Sequence, residues 1–326
     1  MQIVLDTRGM QMSVRNNCFL FETEADSRIV HPSRIGSILI TAPCRISSPA
    51  LILAAQSQIP VIMCDYAGRP QVRTWSPHFI NTSKLRREQY RFSTTPQSAI
   101  WAYMITYLKI EGQKDNLRYI ANRKPVLKAE TEKAVWSIDQ MHENTQQKTS
   151  SSIGERKKQI LFMEAYAASQ YWQLFGKVLP APFTFSNRIK KQPPDGFNAC
   201  INYLYGMLRN QVETAVLSFG LDPAIGIMHR DGYKMPSLVF DLMEPFRPVM
   251  DRLLITSVLQ GEFGDDTFQL KDDSLLISKT GRKQLIGLFV KKMHARTLYR
   301  GTTTSLNNHL LTEAKLLVNT IRTDKG

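Results

Sequence analysis

A change in hydrophobic periodicity near residue 96 constrains this chain more than any other feature of its sequence. Before it, short β-prone runs at residues 2–6, 11–14, 18–21 and 28–31 are separated by turn-forming segments. After it, apolar residues recur at helical spacing. The pattern predicts an α+β chain in which a small N-terminal β-rich domain precedes a larger all-α domain.

A polar, basic stretch separates the two regions and has the composition of a linker. The basic side chains that crowd it are Lys84, Arg86, Arg87 and Arg91. A chain of 326 residues is also longer than most single domains. The sequence therefore predicts domains at residues 1–83 and 96–326, joined by a basic linker at residues 84–95.

The charge balance indicates a polyanionic partner. The 42 Lys and Arg residues exceed the 28 Asp and Glu residues by 14, and the pI is about 9.7. A positive excess of this size attracts phosphate groups, in nucleic acid or at an anionic membrane. We favour nucleic acid, because the sequence shows neither a basic amphipathic helix nor a lipidation signal.

Other classes of protein are excluded by composition. No apolar run approaches the length of a membrane span, and the N-terminus lacks the features of an export signal, so we expect a cytoplasmic protein. The four cysteines are scattered without a CxxC pair, which disfavours a zinc site and a disulfide scaffold.

Glu164 stands out in a predicted helix at residues 155–178. Ile160, Ala168 and Tyr171 fall at helical spacing on one apolar face, and Glu164 lies on that same face. A buried carboxylate is costly unless it meets a cation. The partner is either a Lys or Arg side chain or a metal ion, and the helix alone does not decide between them.

A second group of polar residues adds weight to the metal alternative. His229 precedes Asp241 by twelve residues, and Glu244 follows Asp241 by three, so both acids fit on one helical turn that Ser237 is placed to cap. One imidazole with two or three carboxylates suits Mn²⁺ or Mg²⁺ better than Zn²⁺. A histidine bonded to a carbonyl in the core remains the alternative for His229.

Several segments closely resemble the CRISPR-associated protein one family, the CRISPR spacer integrases. The run Ser237-Leu238-Val239-Phe240-Asp241-Leu242-Met243-Glu244-Pro245-Phe246-Arg247-Pro248, preceded by Gly226 and His229, is similar to the family's pattern nearly throughout. The segments Leu5-Asp6-Thr7-Arg8-Gly9 and Asn202-Tyr203-Leu204-Tyr205-Gly206 also resemble the family. The likeness covers most of residues 1–260.

The resemblance implies roles for the residues singled out above. Glu164, His229 and Glu244 match the family's ligands for Mn²⁺ or Mg²⁺, and Asp241 matches an acidic residue that supports the site. The N-terminal domain would form the homodimer, and the helical domain would be catalytic.

The reaction and the partners are likewise implied by the resemblance. A 3′-hydroxyl of a captured DNA fragment would attack a phosphodiester at the repeat boundary of a CRISPR array, and hydrolytic nicking would use the same centre. The expected partners are double-stranded DNA, both prespacer and CRISPR repeat, and a dimer of CRISPR-associated protein two.

Eight basic residues, most of them in charge runs, are the candidate DNA contacts. They are Lys84, Arg86, Arg87, Arg188, Lys190, Lys191, Arg247 and Arg252. Two other functions remain open: a DNA-binding scaffold whose acids pair with Arg247 or Arg252, and a structure-selective nuclease that does not integrate.

Overall fold

The computed structural model describes residues 2–64, 70–74, 83–148, 152–190, 193–229, 232, 235–271 and 274–324. Its N-terminal part is built from short strands and one helix in the described range. They are β1 (Gln2–Leu5), β2 (Gln11–Arg15), β3 (Cys18–Glu22), β4 (Ser27–Val30), β5 (Ser37–Ile40), β6 (Arg45–Ile46), α1 (Ser48–Gln56), β7 (Val61–Cys64) and β8 (Pro70–Arg73).

These strands form two four-stranded sheets around a common core. One has the order β1-β5-β7-β8, with parallel pairing except at β8, and the other has the order β4-β3-β2-β6. Strands β2 and β3 form an antiparallel hairpin from two of the expected β-prone runs, and its turn places Asn16 and Asn17 at φ values of 51° and 56°. Asparagine tolerates this left-handed region better than most residues, which fits it to a tight hairpin turn.

The second part of the chain is mostly helical, as predicted. Its helices are α2 (Ser83–Phe92), α3 (Pro96–Arg123), α4 (Lys128–Gln147), α5 (Ile153–Gly176), α6 (Gly196–Ser218), α7 (Ser237–Met243), α8 (Arg247–Leu259), α9 (Lys279–His294) and α10 (Leu306–Thr323). Two short hairpins, β9 (Phe268–Lys271) with β10 (Ser274–Ile277) and β11 (Arg296–Tyr299) with β12 (Thr302–Ser305), interrupt the helices.

The segment predicted as a basic linker contains most of α2. Leu85, Gln89 and Phe92 lie on one face of this helix and are buried, and Leu85 and Phe92 join the core of the helical part. Their spacing of four and three residues is that of a helix face. The basic side chains that suggested a linker occupy the remaining, more exposed faces, so this stretch packs with the helical part.

The sheet β1-β5-β7-β8 contacts α6 through polar side chains. Arg73 of β8 pairs with Glu213 at 3.4 Å, and Asn210 contacts the Cys64 sulfur at 3.7 Å. The four cysteines, all of them within the described residues, form no disulfide, and Cys200 is buried. Within the described ranges, no helix has the length and hydrophobicity needed to cross a bilayer.

Candidate metal and nucleic-acid site

Helix α5 places Glu164 at a partly buried position, with its side chain 17% exposed. Ser152 caps this helix by accepting a hydrogen bond from the Glu155 backbone N–H at 3.1 Å, and α5 packs along α3. The buried residues Ile160, Ala167 and Tyr171 share the helix face that Glu164 borders. The expected cation is present: the ammonium of Lys109, on α3, contacts Glu164 Oε1.

Glu244 contacts the same ammonium. It opens the 3-10 turn that follows α7 and is only 3% exposed. Its Oε2 lies 2.6 Å from Lys109 Nζ, and Arg247 Nε donates to its Oε1 at 2.8 Å. Burial would raise the pKa of Glu244, but the charges of Arg247 and Lys109 outweigh it and lower the pKa to about 2. Glu244 is therefore ionised at neutral pH.

His229 is held by Asp241. The Asp241 carboxylate, 0% exposed, accepts from the backbone N–H groups of Ile227, Met228 and His229 at 2.6 to 3.0 Å. Its Oδ1 also lies 2.6 Å from His229 Nδ1. Burial lowers the pKa of His229, but the Asp241 hydrogen bond and the charges of Asp241, Glu244 and Glu164 raise it overall. Asp241 thus fixes the ring, and Nε2 is the nitrogen that a ligand could use.

The loop that leads to His229 is anchored by α2. Gln89, 0% exposed, donates from Nε2 to the carbonyls of Asp222 and Ile225 at 2.9 and 3.0 Å. Its Oε1 accepts from the Asp222 backbone N–H at 2.8 Å. Gln89 was not among the predicted site residues; its only signal in the sequence is a polar side chain on the apolar face of α2. Ser237, predicted to cap α7, is instead its first helical residue, with Pro236 in the capping position.

The acidic cluster and His229 open onto a cavity of about 1280 Å³. Lys109, Glu164, His229 and Glu244 are part of its wall. Other cationic and aromatic side chains around it are Arg188, Lys190, Arg209, Arg247, Arg282, Trp172, Tyr203, Tyr205 and Phe240. Cations and aromatic rings in one concave surface are typical of sites that bind single-stranded nucleic acid, where cations meet phosphates and rings stack on bases.

The predicted DNA contacts occupy different places. Arg188, Lys190 and Arg247 line the cavity, with Arg247 4.7 Å from the centre of the Tyr205 ring. Arg252 instead donates to Asn116 Oδ1 and to the Asp115 carbonyl, in the packing of α8 on α3.

Three other candidates lie on α2. Lys84 and Arg87 are exposed there, and Arg86 Nε lies 3.9 Å from Asp222. Lys191 lies outside the described residues. Arg209 and Arg282, which the sequence analysis did not select, line the cavity, and both are ordinary basic helix residues in sequence.

The donor chemistry of this cluster suits a hard divalent cation. Two carboxylates from different elements converge on one positive group, and an imidazole oriented by a carboxylate lies beside them. Among the residues that the structure describes, no three or more His, Cys, Asp or Glu side chains form a group that could hold a metal. In this arrangement the Lys109 ammonium lies between the two carboxylates.

The chain matches one protein family over most of its length. Residues 3–291 match the family model of CRISPR associated protein Cas1. The chain belongs to the Cas1 family. Over 337 aligned residues it is 26% identical to the CRISPR-associated endonuclease Cas1 1 of Archaeoglobus fulgidus, covering 100% of this chain and 97% of that protein. It is 30% identical over 265 residues to a CRISPR-associated endonuclease Cas1 2 of Rhodospirillum rubrum, covering 79% and 76%.

Solved structures agree with the Cas1 fold. The Cas1 protein of Thermotoga maritima superposes with a TM-score of 0.81 at 17% identity, covering 100% of this chain and 98% of that one. A casposase bound to an integration product gives a TM-score of 0.83 at 20% identity, covering 100% and 92%. The predicted fold, a strand-rich N-terminal region followed by a mostly helical part, is thereby confirmed.

Proposed function

We propose that the chain is a metal-dependent DNA endonuclease and integrase that inserts spacer DNA into a CRISPR array. The observation that supports this most is the convergence of Glu164 and Glu244 on one cation, beside His229, in the wall of a basic cavity. Family membership supports nuclease and integrase chemistry, since the curated relatives are named endonucleases.

Different side chains would bind the metal, orient the imidazole and contact the DNA backbone. Glu164, Glu244 and His229 Nε2 would hold Mn²⁺ or Mg²⁺, which polarises a phosphodiester and stabilises the charge that develops on it. Asp241 keeps the imidazole in one orientation through Nδ1. Arg188 and Lys190 line the cavity and would bring positive charge to the DNA backbone, with the Arg188 guanidinium held in place by hydrogen bonds to Asn198 and Asn202.

The proposed reaction is a transesterification. The 3′-hydroxyl of the incoming strand loses its proton and forms a new P–O bond, while the bond to the 3′-oxygen of the repeat strand breaks and that oxygen takes up a proton to leave as a new 3′-hydroxyl. Hydrolytic nicking follows the same course with water as the nucleophile. The cavity brings the acids and the cationic side chains to one place, as both reactions require.

The proposed partners are double-stranded DNA, a second copy of the chain, and a dimer of Cas2. Two similar structures are described as a casposase bound to an integration product and a Cas6-RT-Cas1–Cas2 complex. The second has a TM-score of 0.82 at 19% identity, and covers 99% of this chain and 35% of that one. We place the protein in the cytoplasm, where the array and these partners are found.

A second candidate, a DNA-binding scaffold without catalysis, is favoured by one observation. Lys109 and Arg247 already neutralise Glu164 and Glu244, so the acids have structural partners without a metal. The two functions differ in whether Mn²⁺ binds at these carboxylates and in whether DNA strands are joined.

The decisive experiment is a strand-transfer assay with array DNA and Mn²⁺. Glu164→Ala, His229→Ala and Glu244→Ala should each abolish joining and nicking. Glu132→Ala, an exposed acid on α4, is the matched control and should behave as the wild type. Full activity in all three site variants would exclude the proposed catalytic centre. A wild-type protein that binds DNA but does not join it would favour the scaffold.

A further inference from the structure

We propose that Lys109 is an internal counter-cation that competes with the metal. Its ammonium holds Glu164 and Glu244 together in the metal-free protein, and it has to withdraw before a divalent ion binds between them. This inference rests on the proposed function, because it concerns the metal assumed there.

The position of Lys109 is unusual for a lysine. It lies in the middle of α3, is 8% exposed, and is followed directly by Ile110, a residue of the helical core. Lysine is almost never buried this far without a charged partner. Here two partners come from separate elements, Glu164 from α5 and Glu244 from the turn after α7. The ammonium therefore joins three parts of the helical domain at one point.

The charges of the four ion-paired side chains balance. Lys109 and Arg247 contribute two positive charges, and Glu164 and Glu244 contribute two negative charges. A divalent ion added to this group would leave two positive charges without partners in a largely buried place, which is costly. Binding is easier if Lys109 gives up its place between the carboxylates. Its four-carbon stem allows that movement, and the adjoining cavity gives the ammonium a place to go.

A lysine that merely stabilises the fold would behave differently. Removing it would lower stability and leave the affinity for the metal unchanged or weakened. Removing a competing cation should instead strengthen metal binding while it weakens the metal-free protein. The two roles are therefore separated by measuring metal affinity and thermal stability together.

The test is a calorimetric titration of the full-length chain with Mn²⁺ alone, without DNA. Lys109→Met should bind Mn²⁺ about tenfold or more tightly than the wild type, since one opposing charge is gone. Its thermal midpoint should fall in EDTA and recover with Mn²⁺. Lys114→Met is the matched control: Lys114 is a buried lysine on the same helix, paired with Glu111 and Asp139. This control should lose stability without gaining affinity or recovering with Mn²⁺.

Lys109→Arg keeps the test informative if Lys109→Met does not fold. Arginine retains the charge and pairs with carboxylates through two parallel hydrogen bonds. It should therefore leave Glu164 and Glu244 less readily than lysine does and weaken Mn²⁺ binding. Equal or weaker binding by Lys109→Met, or unchanged binding by Lys109→Arg, would overturn the role of Lys109.

A Glu164→Gln titration separates this inference from the proposed function. If the wild type takes up Mn²⁺ and Glu164→Gln does not, the metal site stands, and only the comparison of the Lys109 variants decides the role of Lys109. If neither the wild type nor Lys109→Met takes up Mn²⁺, the metal-dependent function and the role of Lys109 both fail.

Discussion

Asp241 combines complete burial with four hydrogen bonds to the His229 segment. Asp241→Asn would place an amide N–H₂ against groups that are themselves donors. We expect a loss of about 1–3 kcal/mol in the free energy of unfolding, and a loss of strand transfer that exceeds the loss of DNA binding. Denaturant titration and the strand-transfer assay measure the two effects.

Asp115→Asn is the control for this substitution, because Asp115 forms an exposed ion pair with Arg118. It should change neither stability nor joining appreciably. Strand transfer that is unaffected in Asp241→Asn would show that His229 does not depend on this carboxylate.

Asp251 should impose a pH dependence on stability. It is buried and accepts hydrogen bonds from Tyr171 and Tyr205 at 3.0 and 2.6 Å. Burial raises its pKa from 3.8 to about 6, although both tyrosines and the charges of Arg188 and Arg247 act in the opposite direction. The folded state therefore binds this proton more tightly than the unfolded state. The stabilising contribution is complete below pH 3.8 and is lost as the pH rises to about 6.

The expected size of this loss is about 3 kcal/mol, from roughly two pKa units. Asp251→Asn cannot titrate, so its stability should decline less than that of the wild type between pH 4 and pH 6. Denaturant midpoints at intervals across this range measure the difference. Parallel curves for the two proteins would show that Asp251 keeps an ordinary pKa.

At the scale of elements, α2 anchors the loop that leads to His229 through the side chain of Gln89. Gln89→Met keeps the approximate length of the side chain and removes its three hydrogen bonds to Asp222 and Ile225. We expect a loss of about 2–3 kcal/mol in stability, because buried carbonyl and N–H groups lose their partners. Strand transfer should fall further than DNA binding, since His229 follows this loop.

Gln97→Met, at an exposed position near the start of α3, is the control for the Gln89 variant. It should retain both stability and joining. A Gln89→Met protein that joins DNA at the wild-type rate would show that the loop holds His229 in place without α2.

Local patterns predicted the elements unevenly. The apolar face of α5 was sufficient to identify both the helix and Glu164. A carboxylate among apolar positions stands out because its burial is costly without a cationic partner. In α2 only Leu85 and Phe92 are apolar residues of the buried face, too few to show a helical period among basic residues. The hairpins β9–β10 and β11–β12 are four-residue strands, shorter than the windows over which periodicity can be read.

The site itself was predictable only in part. Glu164 follows from the residues, whereas the roles of His229, Asp241 and Glu244 depended on the family pattern. Lys109 could not be found, because a lysine in a long helix is ordinarily solvated and only the tertiary structure places its end between two acids. The three-ligand metal site and the domain boundaries remain predictions.

At the scale of the whole molecule, the change of period along the chain was enough to predict the division between strands and helices. The relative placement of the two parts depends on side chains distant in sequence, such as Arg73 with Glu213. Such long-range pairs have no local signature, so the position of the sheet against α6 could not be predicted.

The balanced charges around Lys109 have a consequence for the response to ionic strength. Two cations and two anions cancel within this largely buried group, so the excess of 14 positive charges lies outside it, on the cavity wall and on exposed surface. Mobile salt ions screen exposed charges strongly and buried pairs weakly. Raising NaCl from about 50 to 200 mM should therefore weaken DNA affinity about tenfold or more, as fluorescence anisotropy would measure.

The joining rate of fully bound DNA in a single turnover should change less than about twofold over the same range. A rate at saturation that fell in parallel with affinity would show that the reacting centre depends on exposed charge. Because the reacting groups are largely buried, salt concentration governs how often DNA is bound, while the rate of joining once it is bound stays nearly constant.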